Sequence, residues 1–356
     1  MRAPAELSAP GKAFVAGEYS VLERGEPALV LAVDLRLRVV LRELRGSAVE
    51  LTHAPSAASL RGELGPDGLT WTSGIPAELR FAARAAGLAA KVCAEEGRER
   101  RGFAAAFHDD LSRDGRKLGL GGSAAASVLA IRATCAAQGR DLEVREVISL
   151  AAAAHWVEQG GRGSGADVAA CASGGLIEVR SGHPWSGVDE VVSLRGGDLL
   201  RASPLDVTQL RVPSGLRFLL VWTGHPADSR ALVGSVLTFA RARPARWSHH
   251  VRALSTAEAM VRDALERTDE AASLDAIRRS ATALAALGDD AQVAIVTEAI
   301  ARACAIASGA GAAGKPSGAG GGDCAIVLAW GDAAERARAA LERAGYFALE
   351  VAPAAP

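Results

Sequence analysis

At residues 119–123 the chain reads Gly-Leu-Gly-Gly-Ser, and from there it runs straight into a charge-free stretch. Glycines this dense let the backbone turn sharply and come close to whatever lies against it. The residues that follow, Ser123 to Gln138, have the composition of a buried helix. A glycine loop feeding a helix start aims backbone N–H groups and the positive end of the helix dipole at one point, which suits an anion. The plainer alternative is a tight turn with Ser123 as helix cap, and a lone glycine loop does not separate the two. The spacing is not that of a Walker A loop, which needs Gly-Lys-Ser/Thr. It also misses G-x-G-x-x-G, because the sixth position is Ala124.

Lysine usage narrows the field. The 356 residues contain 36 arginines but only four lysines, Lys12, Lys91, Lys117 and Lys315. Where arginine serves almost everywhere as the generic cation, a retained lysine marks a place that needs a compact ammonium. Lys12, Lys117 and Lys315 lie in or beside glycine-bearing segments, whereas Lys91 sits on an ordinary amphipathic pattern.

Other functions are disfavoured by composition. A net charge of −1 provides no basic field for nucleic acid or an acidic membrane. The longest charge-free run, Leu118 to Ile131, has 14 residues and is too short to span a bilayer. Residues Met1 to Glu6 lack an apolar signal region, which predicts a cytoplasmic protein. The five cysteines are scattered without a C-x-x-C pair, so a disulfide framework or zinc site is not expected.

The patterning predicts an α+β protein of two domains. Leu35 to Arg42 alternates like a half-buried strand, and Gly102 to Phe107 reads as another. Helices are predicted over 79–96, 123–138 and 144–159, with a strand over 176–180. A weakly periodic Gly/Pro/Ser-rich stretch, 181–207, marks the boundary, giving domains 1–185 and 186–356. Beyond it come a buried-type strand, 216–222, and helices near 229–243, 252–267, 273–287 and 292–308. A glycine loop, 314–322, then leads into a strand at 323–329, a helix near 332–344 and a last strand, 347–351.

Three further segments can carry chemistry. In Ala9-Pro10-Gly11-Lys12, followed by Gly17-Glu18-Tyr19, Lys12 can clamp a transferring phosphoryl group, or the segment is a surface turn. In Gly163-Ser164-Gly165-Ala166-Asp167 the aspartate can orient or deprotonate an acceptor, or merely cap a helix. Lys315-Pro316-Ser317-Gly318-Ala319-Gly320-Gly321-Gly322-Asp323-Cys324 runs directly into an apolar strand, unlike a solvated linker. Glu158 reads as a buried ion pair before a metal ligand, His155 as a structural group facing the core, and Arg278 or Arg279 as exposed helical residues.

Taken together and in order, these segments resemble the GHMP kinase superfamily, which includes galactokinase, homoserine kinase, mevalonate kinase and phosphomevalonate kinase. The resemblance spans nearly the whole chain and is nearest to the phosphomevalonate kinases. It rests on Lys12 with Gly17-Glu18-Tyr19, on Lys117 before Gly119-Leu120-Gly121, on Gly163-Ser164-Gly165 with Asp167-Val168-Ala169, on Trp222-Thr223-Gly224, and on Lys315-Pro316-Ser317-Gly318. Two positions depart from the pattern: Gly122 replaces a usual serine, and Ala166 replaces a larger residue.

The resemblance implies an N-terminal domain of ribosomal protein S5 domain 2-like topology, a ferredoxin-like C-terminal domain and a site between them. It implies a monomer or homodimer using ATP and Mg²⁺ to phosphorylate 5-phosphomevalonate in the mevalonate route to isoprenoids. Mevalonate kinase, another GHMP kinase, an ATP-dependent decarboxylase and a catalytically silent ATP-binding protein are the alternatives. Lys12 is expected at the transferring phosphoryl group, Lys117 as a neutralising cation and Asp167 at the acceptor. Gly119, Leu120, Gly121, Gly122, Ser123 and Ala124 are expected to cradle ATP, with Ser123 on Mg²⁺. Ser164, Gly318, Ala319 and Gly320 are expected beside substrate.

Overall fold

The structure, a computed structural model, describes residues 5–109, 111–113, 116–182, 185–202 and 204–355; for 113, 116 and 117 it describes the backbone alone. The chain opens with β1 (Ala5–Ala16) and the long β2 (Pro27–Glu43), paired antiparallel. Next come β3 (Ala48–His53), β4 (Ala58–Gly65), β5 (Gly68–Trp71), α1 (Arg80–Glu95) and β6 (Phe103–Asp109). A small hairpin, β7 (Ser112–Arg113) with β8 (Arg116–Lys117), leads into α2 (Gly122–Ala137), α3 (Val144–Glu158) and α4 (Ala166–Ser173). Then follow β9 (Leu176–Ser181), α5 (Val188–Ser193), α6 (Gly196–Arg201) and β10 (Leu205–Leu210).

These strands form an eight-stranded sheet of order β10-β9-β2-β6-β3-β4-β5, with β1 on the other side of β2. Residues Ala28 to Val33 of β2 are wholly buried, and beyond them Leu35, Leu37 and Val39 stay buried while their neighbours emerge. The first half is covered on both faces and the second on one, which is why only the second half alternates. The helix α2 is apolar all round because it lies among α1, α3, α4 and the sheet.

The second unit holds β11 (Leu216–Trp222), α7 (Ser229–Ala242), α8 (Pro244–Glu266), α9 (Glu270–Ala291) and α10 (Glu298–Gly309). It ends with β12 (Ala313–Pro316), β13 (Cys324–Trp330), α11 (Ala333–Arg343) and β14 (Phe347–Val351). Its sheet is antiparallel with order β12-β13-β11-β14, so the first strand of the unit lies between the third and the fourth, as in a ferredoxin-like fold.

Three sequence readings give way to the structure, and one helix, α4, goes unpredicted. The chain does not leave the first sheet near 185: β10 pairs with β9 from Leu205 to Leu210, so the boundary falls between Leu210 and Leu216. Pro10-Gly11-Lys12 is not a turn but lies inside β1, at a register break where Pro10 faces Arg36 and Gly11 faces Val33. Gly314-Lys315-Pro316 belongs to the buried strand β12 rather than to a loop. Asp167 lies in the first turn of α4, whose small residues are buried on every side and leave no amphipathic stripe to read. Among the described residues, no helix is long and apolar enough to cross a membrane, and all five cysteines are free thiols.

The two units meet along α8. Arg262 Nη1 lies 2.9 Å from Glu178 Oε2 on β9, and Trp247 Nε1 donates to Glu23 Oε1 at 2.5 Å. Glu258 on the same helix is 0% exposed, and neither carboxylate oxygen has a hydrogen-bond partner among the described residues. Burial, helped by the charge of Glu178, pushes its pKa from 4.5 up to about 7. Between those values the folded chain holds the proton more tightly than the unfolded chain. Stability should therefore fall as pH rises through that window, by up to about 3 kcal/mol. Glu258→Gln, which cannot ionise, should flatten this decline, as read by urea unfolding at pH 5.5 and 8.5. An unchanged pH slope in the variant would assign the decline to other groups.

Candidate active site

Lys12 is placed by two glycines. A Cβ on Gly11 would come within 3.0 Å of Leu120 O, so only glycine lets the glycine loop lie against β1, where Lys12 N donates to Leu120 O at 2.9 Å. The Lys12 side chain then runs across Gly121, where a Cβ would meet its Cγ at 2.9 Å and its Cε at 3.0 Å. Gly121 also has φ +78°, a conformation that a side chain resists. The ammonium donates to Gly119 O at 3.1 Å and sits 5.6 Å from the Phe14 ring centroid. It also lies 4.0 Å from where a Gly318 Cβ would be, so it stands between the two glycine loops.

Two helices point their N-termini into the same cleft. Gly121 precedes α2 and Gly165 precedes α4, both with positive φ; no side chain caps the start of α2, whereas in the first turn of α4 Ser164 Oγ accepts from Ala166 N at 3.3 Å and Asp167 Oδ1 from Val168 N at 2.9 Å. The free donors at the start of α2 provide partial positive charge without any ionised side chain. Gly119, Gly121, Gly122, Ser123, Ser164, Asp167, Gly318 and Ala319 all line this cleft, which has a volume of about 560 Å³.

The remaining expected residues sit behind it. Leu120 and Ala124 are buried in the core, 4% and 0% exposed, so their contribution to the loop is backbone alone. Gly320 packs on α9's outgoing segment, where a Cβ would lie 2.2 Å from Ile295 O, and it shapes the loop instead of lining the cleft. The Lys117 side chain lies outside the described residues; its backbone pairs with Ser112 in the small hairpin.

Lys315 is not a cleft residue. It is 0% exposed and forms an ion pair with Glu18, while also donating to Pro316 O at 2.6 Å. Burial pulls its pKa below the ordinary lysine value, and Glu18 opposes that shift. Around this pair the first and third motifs are joined twice more. Tyr19 Oη donates to Ala319 O at 2.6 Å, and Phe14 N donates to Ser317 Oγ at 2.9 Å. Tyr19 reaches its partner from φ +65°, unusual for a non-glycine residue. Lys91 ties down the end of α5 by donating to Leu194 O at 2.6 Å, a structural role. Glu158 lies between Arg80 and Arg84, at 3.9 and 3.7 Å, as an ion pair should. Arg278 donates to Ala312 O and Arg279 pairs with Asp275, and neither lines the cleft.

Several cleft residues escaped sequence reasoning. Arg80, Arg162 and Arg230 line it beside Lys12, yet nothing in the sequence distinguishes them from the other arginines. Among the described residues neither Arg162 nor Arg230 has an ion-pair partner, whereas the Glu18 and Asp228 carboxylates are engaged by Lys315 and by the first turn of α7. Asp323 lies against the glycine loop, 2.7 Å from where a Gly119 Cβ would be, and accepts from Ala227 N at 3.1 Å. His155 is buried as expected, 3% exposed behind the cleft wall against Phe81, and its Nε2 is 3.1 Å from Ser123 Oγ.

Comparison with known proteins agrees with this architecture. Residues 83–175 match the GHMP kinases N terminal domain, and residues 261–346 match the GHMP kinases C terminal region. The chain is 32% identical to a phosphomevalonate kinase of Streptomyces sp. (strain CL190), over 97% of this chain and 96% of that one. It is similar in structure to a Lin0012 protein from Listeria innocua (TM-score 0.89, 26% identity, 98% and 97% of the two chains). Its fold also matches that of Streptococcus pneumoniae phosphomevalonate kinase in complex with phosphomevalonate and AMPPNP (TM-score 0.83, 20% identity, 98% and 100% covered).

Proposed function

This chain belongs to the GHMP kinases, and from that premise we infer that it transfers the γ-phosphoryl group of ATP to the phosphate of 5-phosphomevalonate, giving 5-diphosphomevalonate. The observation that carries the choice of acceptor is the charge of the cleft. Lys12, Arg162 and Arg230 line it, with Arg80 shared with Glu158 and the uncapped start of α2 beside them; of the four carboxylates on the same lining, Glu18 is paired with Lys315, and Asp228 and Asp323 accept from backbone N–H groups. A phosphate acceptor has a second pKa of about 6 and is largely dianionic at neutral pH, so it needs cations more than it needs a base. An alcohol acceptor would reverse that demand.

In this mechanism the loop Gly119–Ser123 holds the nucleotide phosphates with backbone N–H groups. Lys12, already between the two glycine loops, neutralises the phosphoryl group in flight. Asp167 orients the acceptor from the first turn of α4. Ser123 Oγ and the Asp167 carboxylate are oxygen donors on one cleft, and no group of three or more acidic, histidine or cysteine ligands occurs among the described residues. That sparse oxygen set fits Mg²⁺ arriving on the nucleotide, since Mg²⁺ takes few protein ligands and keeps substrate phosphates and water. Bound there, Mg²⁺ would offset phosphate charge. With reduced cysteines and no apolar span among the described residues, a cytoplasmic location fits the same reading.

The test is ADP release with ATP and Mg²⁺ and either 5-phosphomevalonate or mevalonate. Turnover is expected with 5-phosphomevalonate and at least about 100-fold less kcat/KM with mevalonate, a difference of roughly 3 kcal/mol in transition-state binding. Preference for mevalonate, or release of CO₂, would overturn the reading. Asp167→Asn should lower kcat only modestly with the phosphate acceptor; complete loss would point to an alcohol.

A further inference from the structure

One buried group touches both halves of this site. His155 lies in the last turn of α3, 3% exposed, with its ring 4.8 Å from that of Phe81. Its Nε2 is 3.1 Å from Ser123 Oγ, on the nucleotide loop, and 3.8 Å from Asp167 Oδ2, on the acceptor side. The side-chain amide of Gln159 closes in at 3.5 Å. The ring is enclosed by these groups, with Nε2 the atom turned to both Ser123 and Asp167. An N–H on Nε2 can donate to either oxygen. One donor thus faces two acceptors, and in this arrangement the serine hydroxyl is the nearer.

We propose that His155 is a positioning residue that couples nucleotide binding to acceptor binding. When nucleotide phosphates engage the loop, they draw the Ser123 hydroxyl to themselves, and the Nε2–H passes to Asp167, fixing its carboxylate for the acceptor. The proposal rests on the reading above, in which Ser123 serves the nucleotide and Asp167 the acceptor. It places no chemistry on the imidazole, which neither gains nor loses a proton.

Calorimetry reads this directly. The Kd of 5-phosphomevalonate is measured with and without a non-hydrolysable ATP analogue and Mg²⁺, and the ratio of the two is the coupling. Nucleotide should tighten acceptor binding about fivefold or more in the native protein. His155→Phe, which keeps a ring against Phe81 but has no donor, should bring the ratio close to one. His155→Gln, whose amide nitrogen can stand where Nε2 stands, should retain most of the coupling. Thermal unfolding establishes that both variants are folded; if the Phe variant is not, the Gln variant decides, with coupling kept in support and coupling lost against. The proposal is overturned if the native protein shows no tightening, if the Phe variant keeps the ratio, or if the Gln variant loses it as fully as Phe does. If 5-phosphomevalonate does not bind at all, it is the functional reading that fails, and the same ratio is measured with the acceptor that supports ADP release.

Discussion

Replacing Lys12 with methionine is expected to lower kcat by roughly 10³-fold or more, with little change in stability. Methionine preserves the run of side-chain atoms across Gly121, so the packing that holds the loop to β1 survives. What disappears is the ammonium between the glycine loops. Among the described residues that ammonium donates to a single carbonyl, Gly119 O, and pairs with no carboxylate that its removal would strand. Kinetics should show the loss in kcat more than in KM for ATP, because the charge matters most while the phosphoryl group is between donor and acceptor. Near-normal turnover in a folded Lys12→Met protein would remove Lys12 from the mechanism.

Lys315→Met should do the reverse, with its primary effect on folding. The ammonium and the Glu18 carboxylate are 0% and 2% exposed; Lys315 pairs with Oε1, and Oε2 has no hydrogen-bond partner among the described residues. Losing Lys315 leaves a buried carboxylate without its counter-ion, at a cost of about 3–5 kcal/mol. The double variant Glu18→Gln with Lys315→Met removes both charges and should recover much of that loss. Urea midpoints of the two variants beside the native chain measure it. A single variant within about 1 kcal/mol of native would mean that the pair is not sealed from water.

The sequence carried most of the regular elements, because long periodic segments state their own period. β11 and β14 fall at the residues expected, and α1, α2, α3, α7 and α11 lie within a residue or two of their predicted bounds. Elements whose identity comes from their neighbours were not legible. β12 is four buried residues that include a glycine, a lysine and a proline, and only its pairing with β13 makes it a strand. Residues 181–207 read as a domain boundary, yet Gly196 N is held by Glu95 of α1 at 2.8 Å and β10 extends the first sheet.

The site divides along the same line. Lysine scarcity singled out Lys12 and Lys315, and the structure brings both motifs together. It could not say that Lys12 faces the cleft while Lys315 lies behind it, paired to Glu18. Arg80, Arg162 and Arg230 were invisible because rarity marks a residue only when its alternatives are common. His155 is buried as its place on α3 predicts, but helical periodicity reports depth and not that its ring nitrogen meets Ser123.

The straps between the first and third motifs have a consequence for how the protein is made. Tyr19 is fastened to Ala319, Phe14 to Ser317 and Glu18 to Lys315, while Asp34 N donates to Ala352 O. On the ribosome the opening strands emerge first but find these partners only when the final strands have been translated. Until then Glu18 has no counter-ion and Tyr19 no reason to hold a strained backbone. Contacts of such sequence separation form late and slowly. A nascent or prematurely stopped chain would therefore carry its glycine loop without a working catalytic pocket, and unfinished copies would not consume ATP.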